Sequence, residues 1–186
     1  VSACRLMVDL RSPDFGLIGD KKSVGVKNQG NDLMNEIERL QAIEEIKRAK
    51  ARYFRGIDTG QPELVRSVLA QDCVLDFRGC WIDPQTGHDY FPTINIVLRG
   101  SEQWSPEGFT SLGVVATHQS VHHGFNCDVE FINDCNANVV WAMTDRLFWP
   151  DGKLLTGHGY YYETYKQDDD GWKIQTLRVE RLFVEK

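Results

Sequence analysis

Two charged residues sit on faces of this chain that otherwise alternate as apolar. Read with the period of two of a strand, Val139-Trp141-Met143-Asp145-Leu147 and Leu177-Val179-Arg181-Phe183 each turn one face to a core, and Asp145 and Arg181 lie on those faces. Burying an ionised group costs several kcal/mol unless it is paired or wet. The pair therefore reads either as a buried salt bridge or as the polar wall of a pocket. Upstream, the short run Ser120-Val121-His122-His123-Gly124 adds an imidazole, the side chain whose ordinary pKa suits taking and returning a proton near neutrality. His122 and His123 point to opposite faces of a strand, so both cannot face one pocket and they are poor joint ligands for a metal.

A second source of chemistry lies at a helix end. Tyr53 and Ile57 are four apart on an apolar stripe, and Asp58 follows in the last turn. A carboxylate there meets the negative end of the helix dipole, which favours a raised pKa or a cationic partner such as a histidine. The plainer alternatives are a solvated aspartate in a turn and a core tyrosine with its hydroxyl at the rim.

Other chemistries lack their signatures. The chain has no GxGxxG or GxxxxGK[ST] phosphate loop, no GxSxG elbow and no HExxH pair. Its five cysteines have no CxxC spacing, which fits reduced packing thiols of a cytoplasmic protein better than a disulfide framework or a zinc site. The formal charge of −6, with no basic stripe, argues against a nucleic-acid partner. No apolar run is long enough to span a bilayer, and the first residues make a poor secretory signal.

The elements that must position these residues follow from the pattern. At 186 residues, 41% apolar and 26% charged, the chain suits one soluble domain with a tail. Residues 1–30 are rich in Gly, Ser, Lys and Asp and keep no period, so they read as a loosely docked arm before a single domain at 31–186. From Asp32, the positions Leu33, Ile37, Leu40, Ile43, Ile46, Lys50, Tyr53, Phe54 and Ile57 step by three or four, a helical stripe whose one polar member is Lys50. Gly60 suits its stop, and a second helix follows with Thr59 as cap and Pro62 in its first turn. A strand is expected at 73–77, a long loop at 78–100, a weak helix at 106–112, and strands at 117–131, 137–149, 154–166 and 172–184, with a bulge or bend at Gly124 in the first of these four. Helices first and strands afterwards predict an α+β domain, helices packed on one face of a curved antiparallel sheet.

The runs KARYFRGIDTGQPELVRSVLAQDCVLDF, SVHHG, WAMTDRLFW and GWKIQTLRVER resemble the SnoaL-like group of the nuclear-transport-factor-2 superfamily, over about residues 36 to 185. The pattern is similar to that of bile-acid dehydratase, scytalone dehydratase and dehydrochlorinase types. That resemblance implies a cone-shaped α+β fold enclosing one deep pocket, and a homodimer or homotrimer. It carries catalytic roles onto Tyr53, Asp58 and His122, and substrate-binding roles onto Asp145 and Arg181. It implies a cofactor-independent lyase or isomerase, with no metal, acting on a hydrophobic steroid- or polyketide-like ring compound. The superfamily also contains silent members, such as the small subunits of ring-hydroxylating dioxygenases, so a noncatalytic ligand-binding or subunit role is the alternative. The two are separated by whether His122 lies within reach of Asp58.

Overall fold

The computed structural model describes residues 34–105 and 119–186. The expectations for residues 1–30, Leu33, the helix at 106–112 and the first two positions of the strand at 117–131 lie outside the described residues. The first described element is α1, Glu36–Asp58, and its start is written in the sequence. Asn35 accepts from the backbone of Ile37 and Glu38 while Glu38 reaches back to Asn35, a complete capping box. Its stripe is buried from Ala42 onward, through Ile46, Ala49, Lys50, Tyr53, Phe54 and Ile57, whereas Ile37 and Leu40 are exposed. Gly60 takes a positive φ just past the end. The cap of α2, Pro62–Arg66, is Gln61 rather than Thr59. The Thr59 hydroxyl instead donates back to the Arg55 carbonyl, closing α1.

Six strands form one sheet in the order β2-β1-β6-β5-β4-β3. They are β1 Leu69–Asp76, β2 Val97–Arg99, β3 Gln119–Asn133, β4 Asn136–Phe148, β5 Leu154–Asp168 and β6 Gly171–Glu185. The four long strands form an antiparallel meander, as their alternation and turn residues predict. The sheet as a whole is mixed, because β1 runs parallel to β6. The chain from β2 to β5 lies between β1 and β6 in sequence and supplies the long crossover that a parallel pairing needs. Helices against a curved, open six-stranded sheet make an α+β fold, with the core between α1 and the inner sheet face.

Two irregularities re-aim the inner face. On β3, three steps from Phe125 to Asp128 face two steps from Ala142 to Val140, so one residue is extra, and Asn126 has φ 42°. The inner set accordingly changes from Ser120, His122 and Gly124 to Cys127, Val129 and Phe131. The bulge is therefore at Asn126, not at Gly124. Gly124 serves close packing: a Cβ there would come within 2.8 Å of the Phe54 ring. A second shift falls between His158 and Gly159, whose partners are Phe183 and Arg181. Phe183 thereby leaves the inner face expected for it and stacks on His158, with ring centroids 4.4 Å apart. The segment expected as a loop at 78–100 contains β2, a short 3-10 helix at Pro92–Ile94 and a bridge between Ile82 and Asp89.

Candidate active site

α1 ends against β3, and that junction brings Asp58 to His122. The His122 Nδ1 lies 2.5 Å from Asp58 Oδ1. The His122 backbone N–H donates to Asp58 Oδ2 at 2.9 Å, and Ser120 Oγ donates to Oδ1 at 2.9 Å. These three donors fix both oxygens of a carboxylate at an otherwise unfavourable helix C-terminus. With Nδ1 engaged, Nε2 is left for the cavity that His122 lines. The Phe54 ring lies parallel to the imidazole at 5.9 Å, which limits its rotation. Burial opposes the imidazolium most strongly, but the Asp145 carboxylate and then the hydrogen bond and charge of Asp58 outweigh it, against Arg181. The ring therefore titrates above the ordinary 6.5.

The charges on β4 and β6 form one closed unit. The β3–β4 register places Asp145 directly opposite His122. Asp145 Oδ2 accepts from Arg181 Nη2 at 2.9 Å, and the Tyr161 hydroxyl lies 3.2 and 3.1 Å from the two carboxylate oxygens. Arg181 donates from Nε to the Cys80 carbonyl at 2.5 Å, directs Nη1 at the Met143 sulfur at 3.0 Å, and lays its guanidinium 4.1 Å from the Trp81 ring centroid. It crosses β5 to do so. Gly157, the β5 partner of Asp145, makes the crossing possible, because a Cβ there would stand 2.6 Å from Arg181 Nη1 and 2.9 Å from Trp81.

Ser120, His122, Asp145, Tyr161 and Arg181 line one cavity of about 80 Å³, shared with Tyr53, Ile57, Phe77, Cys80, Trp81, Phe91, Ile94, Trp104, Leu147 and Val179. All but one of the five residues singled out in the sequence therefore reach its wall directly. Asp58 stands behind His122 and borders an open groove with Arg55, Thr59 and His123. Tyr53 is 2% exposed and packs edge-on to Phe54 and Trp104. Burial, reinforced by Glu163 and Asp145, pushes its phenol well above the ordinary range, so it is held as a neutral donor. None of the hydrogen bonds among the described residues engages its hydroxyl.

Sequence reasoning missed Ser120 and Tyr161, and it read Lys50 only as a polar member of the stripe. Tyr161 was hidden in the run Tyr160-Tyr161-Tyr162, where only the inward register distinguishes it. Ser120 carried one usable signal, its place two residues before His122 on the same face. Cys73 and Cys80 are buried free thiols, as expected of packing cysteines; burial pushes Cys80 up to about 12, which keeps it an unreactive thiol. Among the described residues, no three His, Cys, Asp or Glu side chains are placed to hold a metal, and no helix is long and apolar enough to cross a membrane.

Comparison with known proteins agrees with this architecture. A curated relative from Gibberella zeae, FGR4, named provisionally as a cyclase, is 24% identical over 146 residues, covering 74% of this chain and 89% of its own. A Novosphingobium aromaticivorans structure named provisionally as a scytalone dehydratase superposes with a TM-score of 0.63 at 17% identity, covering 80% of this chain and 89% of its own. Hexachlorocyclohexane dehydrochlorinase LinA-type3 from Novosphingobium barchaimii superposes at 0.60 and 17% identity, covering 81% of this chain and 93% of its own. The SnoaL-like domain model matches residues 38–178, which takes in the Asp58–His122 pair and Asp145, and the chain belongs to the SnoaL-like family.

Proposed function

We propose that this chain is a cofactor-independent lyase or isomerase that works by proton abstraction from carbon, as a dehydratase does. The observation that carries the reading is the 2.5 Å contact of His122 Nδ1 with Asp58 at the wall of an aromatic cavity. Asp58 holds the proton on Nδ1 and supports the imidazolium that forms. The neutral Nε2 removes a proton α to a substrate carbonyl. Tyr53 donates to that carbonyl oxygen as negative charge develops on it. If a hydroxyl stands β to the carbanion, its C–O bond breaks, the imidazolium returns the proton to it, and water leaves with a conjugated alkene behind. If the proton returns to another carbon, the result is isomerisation. The provisional cyclase and dehydratase names and the dehydrochlorinase name of the relatives support this class of reaction.

The Asp145–Arg181 pair narrows the substrate. Every nitrogen of Arg181 already has a protein partner, so it offers little to a substrate carboxylate. Asp145 retains acceptor capacity and suits a substrate hydroxyl. A neutral hydroxyketone fits this wall better than an acid. The volume of about 80 Å³ is smaller than the roughly 150 Å³ of a cavity that accepts benzene, so even a single ring needs some widening and a steroid needs the mouth to open.

The test is a panel of neutral cyclic hydroxyketones, polyketide-like rings, steroids and chlorinated rings, followed by the ultraviolet signal of a new conjugated alkene. His122→Ala and Asp58→Asn should each lower turnover by orders of magnitude in folded protein. Full activity in both variants rejects the dyad. Saturable binding across the panel with no turnover establishes the ligand-binding alternative instead.

A further inference from the structure

Lys50 and Glu163 form an ion pair buried between α1 and β5, at 1% and 3% exposure. Glu163 also accepts from the Tyr165 hydroxyl at 2.8 Å. Neither residue of the pair lines the cavity, so neither touches a substrate. The nearest ring links them to it. The Lys50 ammonium lies 3.5 Å from the centroid of Tyr161, closer than to Phe54 at 4.5 Å or Tyr53 at 4.9 Å. Tyr161 lines the cavity, and its hydroxyl hydrogen-bonds Asp145, which stands opposite His122.

We infer that Tyr161 is a positioning residue, held between the Lys50 ammonium on its ring face and the Asp145 carboxylate at its hydroxyl, and that it governs how much negative charge Asp145 presents to His122. The inference rests on reading His122 as the base. Its physics is elementary. A cation on a ring face draws electron density toward itself and makes the phenol a stronger donor. A stronger donor withdraws charge from the carboxylate it serves. Burial holds Tyr161 well above the ordinary phenol range, so it remains a donor at any working pH. A buried ion pair is seldom a net gain over apolar residues of the same shape, so stability alone is a weak reason for Lys50 and Glu163 to be there.

The groups facing His122 come from every packed element. They are Asp58, Tyr53 and, across the outer groove, Arg55 on α1, Ser120 and His123 on its own strand, Asp145 on β4, Tyr161 on β5 and Arg181 on β6, with Cys80 from the segment after β1. Among them Tyr161 is the member that lies nearest the Lys50 ammonium and also hydrogen-bonds Asp145.

The experiment is an NMR pH titration of the His122 ring in the free, full-length protein, which needs no substrate and so stands or falls separately from the activity. Tyr161→Phe removes the donor and should raise the His122 midpoint by on the order of half a unit. A fluorotyrosine placed at position 161 is a stronger donor and should lower it. Lys50→Met combined with Glu163→Gln removes the ring-face cation without stranding a charge. It should raise the midpoint in the wild-type background and leave it unmoved in the Tyr161→Phe background. Unchanged midpoints in both position-161 variants overturn the inference, as does an equal effect of the paired substitution in both backgrounds. Should Tyr161→Phe fail to fold, the fluorotyrosine decides alone: a downward shift supports the assignment and no shift rejects it.

Discussion

The site contains two acid–cation pairs built to different degrees of completion. In Asp58–His122 the side chains are 19% and 14% exposed, one ring nitrogen is left over, and the outer edge borders an open groove. In Asp145–Arg181 they are 3% and 2% exposed, and each guanidinium nitrogen has a protein partner. The difference separates two jobs. A pair that must change protonation state needs an unfilled valence and contact with water. A pair that supplies a constant field needs neither, and it can be locked by packing. Under the proposed function, the dyad is the part that reacts, and the closed pair holds the reactive group in its electrostatic setting.

Removing one member from each pair tests that division at its largest. Asp58→Asn should lower turnover by about 10²–10⁴-fold, because the imidazole loses its orienting acceptor, while the unfolding midpoint moves little. Arg181→Met should do the reverse and cost about 3–5 kcal/mol in denaturant unfolding, because it strands the Asp145 carboxylate in the core. Arg181→Met with Asp145→Asn should recover most of that loss. If Asp58→Asn unfolds the protein while Arg181→Met only slows it, the two roles are exchanged.

Gly157→Ala is the next step down. The added methyl falls 2.6 Å from Arg181 Nη1 and 2.9 Å from Trp81, both held by packing. Overpacking of this kind costs about 1–3 kcal/mol. Gly124→Ala crowds the Phe54 edge at 2.8 Å, beside the Asp58–His122 pair, and reaches Trp141 only at an ordinary 3.5 Å. It should tilt the imidazole stacked on Phe54 and act more on turnover than on stability. Chemical denaturation and steady-state kinetics on the two alanine variants compare the two pairs through their glycines.

How far the sequence discloses this site depends on which physics writes it there. Asp145 and Arg181 were visible because a charge interrupts a period-two apolar face, and Asp58 because a carboxylate at a helix C-terminus wants a cation. The meander was visible because strands with one buried face must alternate. What was hidden depends on contacts distant in sequence. The parallel β1–β6 pairing leaves no local mark, because a short strand reads the same in either direction. The bulge fell to Asn126 rather than Gly124, since glycine there answers to the Phe54 ring from α1, not to backbone bending. Tyr161 looked like its neighbours Tyr160 and Tyr162, which are half-exposed on the outer face. Lys50 stood in an apolar stripe, but its partner Glu163 lies 113 residues away. The segment after β1 read as a loop, because Cys80, Trp81, Phe91 and Ile94 become a cavity wall only when the sheet is behind them.

The smallest effect concerns the field of the closed pair on the open one. His122 titrates above 6.5, raised by the charge of Asp145 and by the hydrogen bond and charge of Asp58, with Arg181 a lesser influence that lowers it. A base must be neutral to act, so kcat/KM should rise with pH through that midpoint, placing the acid limb on the alkaline side of an ordinary histidine. Removing both charges with Asp145→Asn and Arg181→Met deletes a larger raising influence together with a smaller lowering one. The net change is downward, and the limb should move to lower pH by up to about one unit, worth about 1.4 kcal/mol. That variant would then be relatively more active than the parent in acid, although its substrate-facing wall has lost a carboxylate. An unmoved limb would mean that Asp58 alone sets the base. An upward shift would mean that Arg181 outweighs Asp145 at the ring, and the closed pair would then act as a net cation toward His122.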